Sequence, residues 1–337
     1  MILIFSNKED IHPNNVIGYL RQWGVEVFRL NTECLLTDYR FCWWLDSDGI
    51  DFEIENVKNG LKLTGSQVTA VWDRRASAPS ELPMPSSNDS VNDFMRREGY
   101  VFLSYLRHWM KDIYSIGDIE EDWPAESKML QLTVARELGM AVPDTCFANY
   151  REPIVRLAER YETLSLKSFD GSSVLDGEND REYVLYAQRA KSADVVAQPE
   201  EAFCQTANFV QNYIEKAYEL RVTVVCDDVV ACKIDSQAMA DDEGKTDWRQ
   251  GYEHGMRLEI VELPDKIADF CRRYLRRMKL NFGCFDFIVT PNGRYVFLEC
   301  NPNGQWLWIE LLTGYDLSKI VARHLCRYEE GAQGDMM

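Results

Sequence analysis

The segment 285–300 (FDFIVTPNGRYVFLEC), running on into Asn301-Pro302-Asn303-Gly304, constrains this chain more than any other stretch. Two apolar-rich runs flank Asn292-Gly293, a dipeptide that favours a two-residue turn with positive φ at both positions. That turn sets Asp286 opposite Glu299, and Asn301 shares their face because side chains alternate along a strand. Directly opposed Cβ atoms lie about 5 Å apart, so two carboxylates there repel unless a cation sits between them. An Asp, a Glu and an Asn amide oxygen form a hard, all-oxygen set that suits Mg²⁺, with phosphate oxygens and water completing it. The companion face, comprising Phe285, Phe287, Val289, Val296 and Leu298, is too apolar for an exposed edge hairpin.

The rest of the chain supplies context for that hairpin. An apolar run at 2–6, a helical pattern at 13–23 and a second run at 25–30 predict a βαβ unit, with Gly24 ending the helix. Short alternating segments follow at 41–45, 51–55, 60–64 and 68–73, and the Pro- and Ser-rich stretch 76–90 reads as a loop or linker. Helices are expected at about 91–111, 125–139, 265–279 and 317–328, and strands at 145–148, 164–169, 183–189, 208–215, 221–227 and 229–235. The whole is α+β, with a parallel N-terminal sheet and antiparallel sheets after it. Three units are expected: 1–122 with its linker at 76–90, 123–205, and 206–330.

Composition narrows the function. A net charge of −18 repels phosphate backbones, so nucleic acid is not expected as a partner, and a nucleotide site needs local cations. Ten scattered cysteines without a CxxC pair indicate neither a zinc site nor a disulfide framework, and fit a reducing cytoplasm. The start MILIFSNKED reads as a buried strand rather than a signal peptide, and no stretch approaches a membrane span.

The needed cations are present. Lys167 lies in an apolar strand directly before Asp170-Gly171-Ser172-Ser173, an arrangement that suits a phosphate under loop amides; a lysine snorkelling from a strand edge is the bland alternative. Lys128 sits near a helix start, where the dipole favours anions. Arg221 and Lys233 occupy the two arms of 221–234. A two-residue turn at Asp227-Asp228 puts Lys233 on the other face, whereas a three-residue turn or a bulge at 226–228 sets it opposite Arg221, and the latter is expected. In FVQNYIEK, Tyr213 and Ile214 are placed to sandwich a flat base while the backbone of Gln211, Asn212, Tyr213 and Ile214 reads its edge. No GxxxxGK[ST] loop occurs, so a triphosphate site here is not of the Walker kind.

These residues resemble the ATP-grasp superfamily, and more closely the graspetide synthetases that cyclise ribosomally made peptides. The resemblance is carried by Asp286, Glu299 and Asn301 within the hairpin, by QNYIEKAYELRVTVV followed by VVACKI, by ESKMLQLTVARELGMAVPDT, by Asp247-Trp248-Arg249, and by VWDRR at 71–75. It implies an ATP-grasp fold and an ATP-dependent ligase working through an acyl phosphate. Lys128, Lys167 and Lys233 would contact ATP phosphates, Gln211 to Ile214 would form the adenine hinge, and Glu219 or Glu215 would bind the ribose. Asp286, Glu299 and Asn301 would hold Mg²⁺, and Arg221 would stabilise the acyl phosphate and its adduct.

The substrate implied is an Asp or Glu side chain of a precursor peptide, leader plus core, attacked by a Thr or Ser hydroxyl or a Lys amine. Arg249 would grip that carboxylate, and Asp247 would orient it or take the nucleophile's proton; a surface salt bridge is the alternative for this pair. Arg74 and Arg75 would serve the same peptide unless they pair with local acids. His12, His108, His254 and His324 match no nucleophile or metal pattern. A homodimer is a further expectation. A carboxylate–amine ligase for small molecules or peptide termini, and a non-catalytic ATP-binding regulator, stand as the alternative functions.

Overall fold

The computed structural model describes residues 1–47, 49–117, 124–169, 173–176, 181–239, 242–251 and 256–334. Ile2–Ser6, His12–Gln22 and Val27–Asn31 form a strand–helix–strand unit with parallel strands, and Gly24 at φ 78° turns the chain out of the helix. Ala70–Asp73 and Ser115–Ile116 extend this sheet in parallel on the far side of Ile2–Ser6. The alternating segments between them make a separate antiparallel meander of Tyr39–Asp46, Gly49–Asn56 and Lys62–Thr64. Its apolar face packs under helix Asp89–Trp109, with the Phe41 and Phe102 rings stacked 4.1 Å apart.

Next comes an antiparallel sheet in the order Gln188–Lys191, Thr163–Lys167, Asn208–Asn212, Thr145–Ala148, backed by helix Arg151–Ala158. The strand expected at 183–189 is broken in two. Arg181–Val184 pairs with Ser173–Asp176, and Gln188–Lys191 joins the sheet. Asp170, Gly171 and Ser172 of the loop after Lys167, and His254, lie outside the described residues.

The C-terminal sheet is antiparallel throughout, in the order Leu258–Val261, Asp228–Ile234, Tyr218–Val225, Phe282–Val289, Tyr295–Asn301. Helices Lys128–Glu137 and Asp265–Arg277 cover one face, where Phe270, Tyr274, Phe285, Phe287 and Phe297 meet largely edge to face. A second cluster joins Ile2, Ile4 and Trp72 of the first sheet to Cys284, Trp306, Leu317 and Leu325, so the chain's two ends share one core.

The central hairpin reaches its expected pairing by an unexpected route. Only Gly293 of the turn has positive φ, at 77°. Thr290 N–H donates to Arg294 O and Gly293 N–H to Thr290 O, which makes a three-residue loop of 291–293. Proline presets the first position of a type I turn and glycine takes the left-handed third, so Pro291 decides against the two-residue form. That loop alone would set Asp286 opposite Leu298. A bulge beside Asp286/Phe287 absorbs one residue and restores Asp286 opposite Glu299. The companion face changes as a result: Phe297 faces Phe287 in the core, Val296 pairs with Ile288, and Leu298 lines a cavity.

Candidate active site

A cavity of about 1060 Å³ lies between the central and C-terminal sheets and is closed on one side by the N-terminal sheet. Its floor is a cross-strand row. Arg221 pairs with Asp286 and Asp286 with Glu299, while Cys284 pairs with Asn301 one step along. Arg221 Nη1 donates to Asp286 Oδ2 at 2.6 Å, and Lys128 Nζ, in the first turn of its helix, to Glu299 Oε2 at 2.5 Å. The Asn301 amide bridges both carboxylates at 3.3 Å. Lys167 comes from the roof, its ammonium 5.7 Å from the centre of the Phe209 ring.

The charges are unevenly held. Burial, with the Glu299 carboxylate alongside, pushes the Asp286 carboxyl up against the pull of Arg221. Burial acts the same way on Glu299, but Lys128, Lys167 and Arg249 outweigh it and hold that carboxyl well below its usual range. Lys167 is pushed down by burial, against the Glu299 and Asp247 charges. One carboxylate oxygen, Asp286 Oδ1, is buried with no hydrogen-bond partner among the described residues. Among those residues no three His, Cys, Asp or Glu converge, so a cation here has two carboxylates, an amide and added oxygens to rely on. That donor set and the orphaned Asp286 oxygen fit Mg²⁺ carried in with phosphates.

Gln211, Asn212, Tyr213 and Ile214 line the cavity at its other end. Gln211 is pinned by Thr145 Oγ1 at 2.9 Å, and the Arg189 guanidinium lies 4.5 Å over Tyr213. Glu219 also lines it, whereas Glu215 is exposed outside the lining. Glu219 is held by Lys216 Nζ at 2.8 Å, and burial raises its carboxyl against that lysine's pull. Lys216 was not singled out from sequence: it stands in irregular backbone before strand Tyr218–Val225, where i,i+3 spacing to Glu219 carries no signal.

Asp247 and Arg249 also line the cavity and pair through both carboxylate oxygens, at 2.8 and 2.5 Å. Asp247 is buried yet held low by that guanidinium, and also accepts from Ala187 N–H. Arg249 is half exposed and lies 5.5 Å over the Tyr186 ring.

Two expectations fail. The turn after Tyr218–Val225 is a two-residue one at Cys226-Asp227, with Cys226 at φ 54°, so Arg221 faces Cys232 and Lys233 faces Leu220. Lys233 therefore points away from Arg221, sits 4.8 Å over the Tyr218 ring and does not line the cavity. Left-handed backbone at a cysteine is what sequence rules weigh against, and it decided the register. Lys233→Met is accordingly expected to change the KM for ATP by less than about 3-fold, whereas Lys167→Met lowers turnover by about 100-fold, both read as initial rates of ADP release.

Arg74 is the second correction. It is fully buried, with Asp10 Oδ2 at 3.0 Å from its Nε and the carbonyls of Asn303 and Gly304 at 2.6 and 3.1 Å from Nη1, so it cannot touch a peptide. Arg75 does line the cavity and is exposed.

Gly304 shows how tightly the loop after Asn301 seats. An added Cβ would lie 2.3 Å from Cys284 Cβ. Gly304→Ala is expected to destabilise by about 2–3 kcal/mol in urea titrations, and Cys284→Ala does not relieve it because the clash is with Cβ.

Comparison with known proteins gives the family and the fold. The RimK-like ATP-grasp domain family matches residues 125–325. No curated protein matches the sequence. Among solved structures, a RiPP-associated ATP-grasp ligase from Chryseobacterium gregarium, in complex with ADP and a leader and core peptide, is 26% identical with a TM-score of 0.85, covering 96% of each chain. The macrocyclase MdnC from Microcystis aeruginosa MRC, bound with precursor peptide MdnA, is 25% identical with a TM-score of 0.81, covering 96% of this chain and 98% of that one. The macrocyclase MdnB from the same source, at 23% identity and a TM-score of 0.76, shares the fold. The chain belongs to the RimK-like ATP-grasp family of ATP-dependent ligases.

Proposed function

We propose that this ligase closes rings in a ribosomally made precursor peptide, joining Asp or Glu side chains to Thr or Ser hydroxyls or Lys amines. The observation that carries this reading is one cavity lined by two charged groups: the Lys128, Lys167, Arg221, Asp286, Glu299 cluster, and the Asp247–Arg249 pair with Tyr186 and Trp308. Similarity over 96% of the chain to ligases solved with their peptides supports it.

Beside the first group a substrate carboxylate oxygen attacks the γ-phosphorus of ATP, the bond to the bridging oxygen breaks, and ADP leaves with the electron pair. Lys128 and Lys167 meet the charge on the phosphoryl oxygens, and Gln211 to Ile214 hold the base. Mg²⁺, held by Asp286, Glu299 and Asn301, supplies charge neutralisation when bound. Arg249 then orients the acyl group, and the hydroxyl or amine adds to its carbon. Arg221 faces the oxyanion, Asp247 takes the nucleophile's proton, and inorganic phosphate leaves. The product is an ω-ester or ω-amide.

The partner is a precursor of leader plus core, with a homodimer as the expected assembly. All ten cysteines are free thiols, which supports a cytoplasmic setting, and no described helix is long and apolar enough to cross a membrane. Mass spectrometry of precursor, enzyme, ATP and Mg²⁺ is expected to show the loss of one water per ring. If free amino acids are ligated while no acidic peptide loses water, the small-molecule carboxylate–amine ligase replaces this reading.

A further inference from the structure

Asp10, His12 and Arg74 are buried behind the active site, and its chemistry uses none of them directly. Asp10 joins the other two: its Oδ1 lies 2.7 Å from His12 Nδ1 and its Oδ2 3.0 Å from Arg74 Nε. His12 Nε2 then accepts from the backbone N–H groups of Trp306 and Leu307, at 3.2 and 3.3 Å. Those are unpaired donors at the start of helix Leu307–Thr313, which has no side-chain cap of its own. Arg74 grips the carbonyls of Asn303 and Gly304. The loop leaving Asn301 is thus held at both ends from the N-terminal sheet. Between them the Trp306 ring is enclosed, 4.7 Å from the His12 ring and 5.0 Å from the Arg74 guanidinium.

We propose that Arg74 and His12, the latter ordered by Asp10, are positioning residues that hold the 301–307 loop, and with it Asn301, in the geometry the phosphate site needs, and that His12 does so only as a neutral imidazole. This rests on the reading of Asn301 as part of the phosphate site. The hydrogen bonds fix the tautomer: Nδ1 carries the proton toward Asp10, and Nε2 offers its lone pair to two amides. Protonating Nε2 removes that lone pair and sets a cation against two N–H dipoles.

The groups facing the ring favour the neutral form. Burial lowers His12 from its ordinary value, Asp10 opposes, and the charges of Arg74 and Arg75 act with burial. Glu310, on the helix that follows, turns instead to Asn15 and Ser318. Because the folded-state value is depressed, the stability this ring contributes is complete above about pH 6.5 and is lost as pH falls below it.

Two measurements test the clamp on the full chain. Long-range ¹H–¹⁵N imidazole spectra, with four histidines to resolve, are expected to show one ring in the Nδ1–H form, still neutral below pH 6.5 and absent from His12→Gln. A His12 ring with the proton on Nε2, or titrating at the ordinary value, overturns the proposal. The second measurement is ADP binding with and without Mg²⁺. His12→Leu is expected to keep wild-type ADP affinity in EDTA and lose about 10-fold or more of the Mg²⁺-dependent gain, while His12→Gln, whose amide oxygen replaces the Nε2 acceptor, retains it. Equal Mg²⁺ gains in wild type and His12→Leu, or equal losses in Leu and Gln, overturn it as well. If the wild type binds no ADP, the nucleotide reading fails, and the imidazole spectrum still decides the clamp. His12→Gln and the wild-type spectrum decide it too if His12→Leu does not fold.

Discussion

Glu299→Gln is expected to lower ATP turnover by about 1000-fold while circular dichroism stays native and the melting midpoint moves by less than about 4 °C. The substitution keeps shape and hydrogen-bonding capacity but removes the one carboxylate that Lys128 contacts and that Lys128, Lys167 and Arg249 together hold ionised. Asp286 then stands as the only carboxylate of the row, and the repulsion between Lys128 and Lys167 loses the Glu299 charge that offsets it. Losing the Lys128 ion pair costs stability, but relief of the Asp286–Glu299 repulsion offsets part of it. Wild-type turnover in this variant would remove the hairpin row from the catalytic site.

Arg249→Ala is expected to cut ring formation by about 100-fold, measured by mass spectrometry, while ADP affinity measured by calorimetry changes by less than about 3-fold. Arg249 is hydrogen-bonded to Asp247 rather than to the hairpin carboxylates, whose charge reaches it only through space. The variant leaves Asp247 buried and short of its partner, which is costly in its own right. Arg249→Ala combined with Asp247→Asn is expected to restore the melting midpoint, which assigns the stability loss of the single variant to the unpaired Asp247 carboxylate. A large loss of ADP affinity would instead move Arg249 into the phosphate cluster.

Much of this was legible because strand alternation and charge chemistry speak directly. Asp286, Glu299 and Asn301 come together as the hairpin implies, with Arg221, Lys128 and Lys167 around them. The pairing of Asp286 with Glu299 was reached through two compensating errors, a turn one residue longer than expected and a bulge that restores the count. Pro291 with Gly293 is a local signal for the longer turn, whereas the bulge has none, since it is set by packing across the sheet. Register also misplaced Lys233, because a left-handed cysteine is an exception that only the surrounding sheet enforces. Arg74 and His12 were beyond reach for another reason: their partners are backbone atoms of a remote loop, and backbone carries no residue-type signal.

The clamp behind the 301–307 loop also has a consequence for how the protein is made. Arg74 and His12 wait for carbonyls and amides 229 and 295 residues further along the chain. These are among the least local contacts a chain of this length can form, and the loop-closure entropy falls due before they give any return. During synthesis the N-terminal strands and helix emerge long before the segment that completes the active site. A nascent chain ending short of residue 301 holds the Gln211–Ile214 segment and Lys167 but no seated Asn301, so the cavity is completed only once the C-terminal segment has been made.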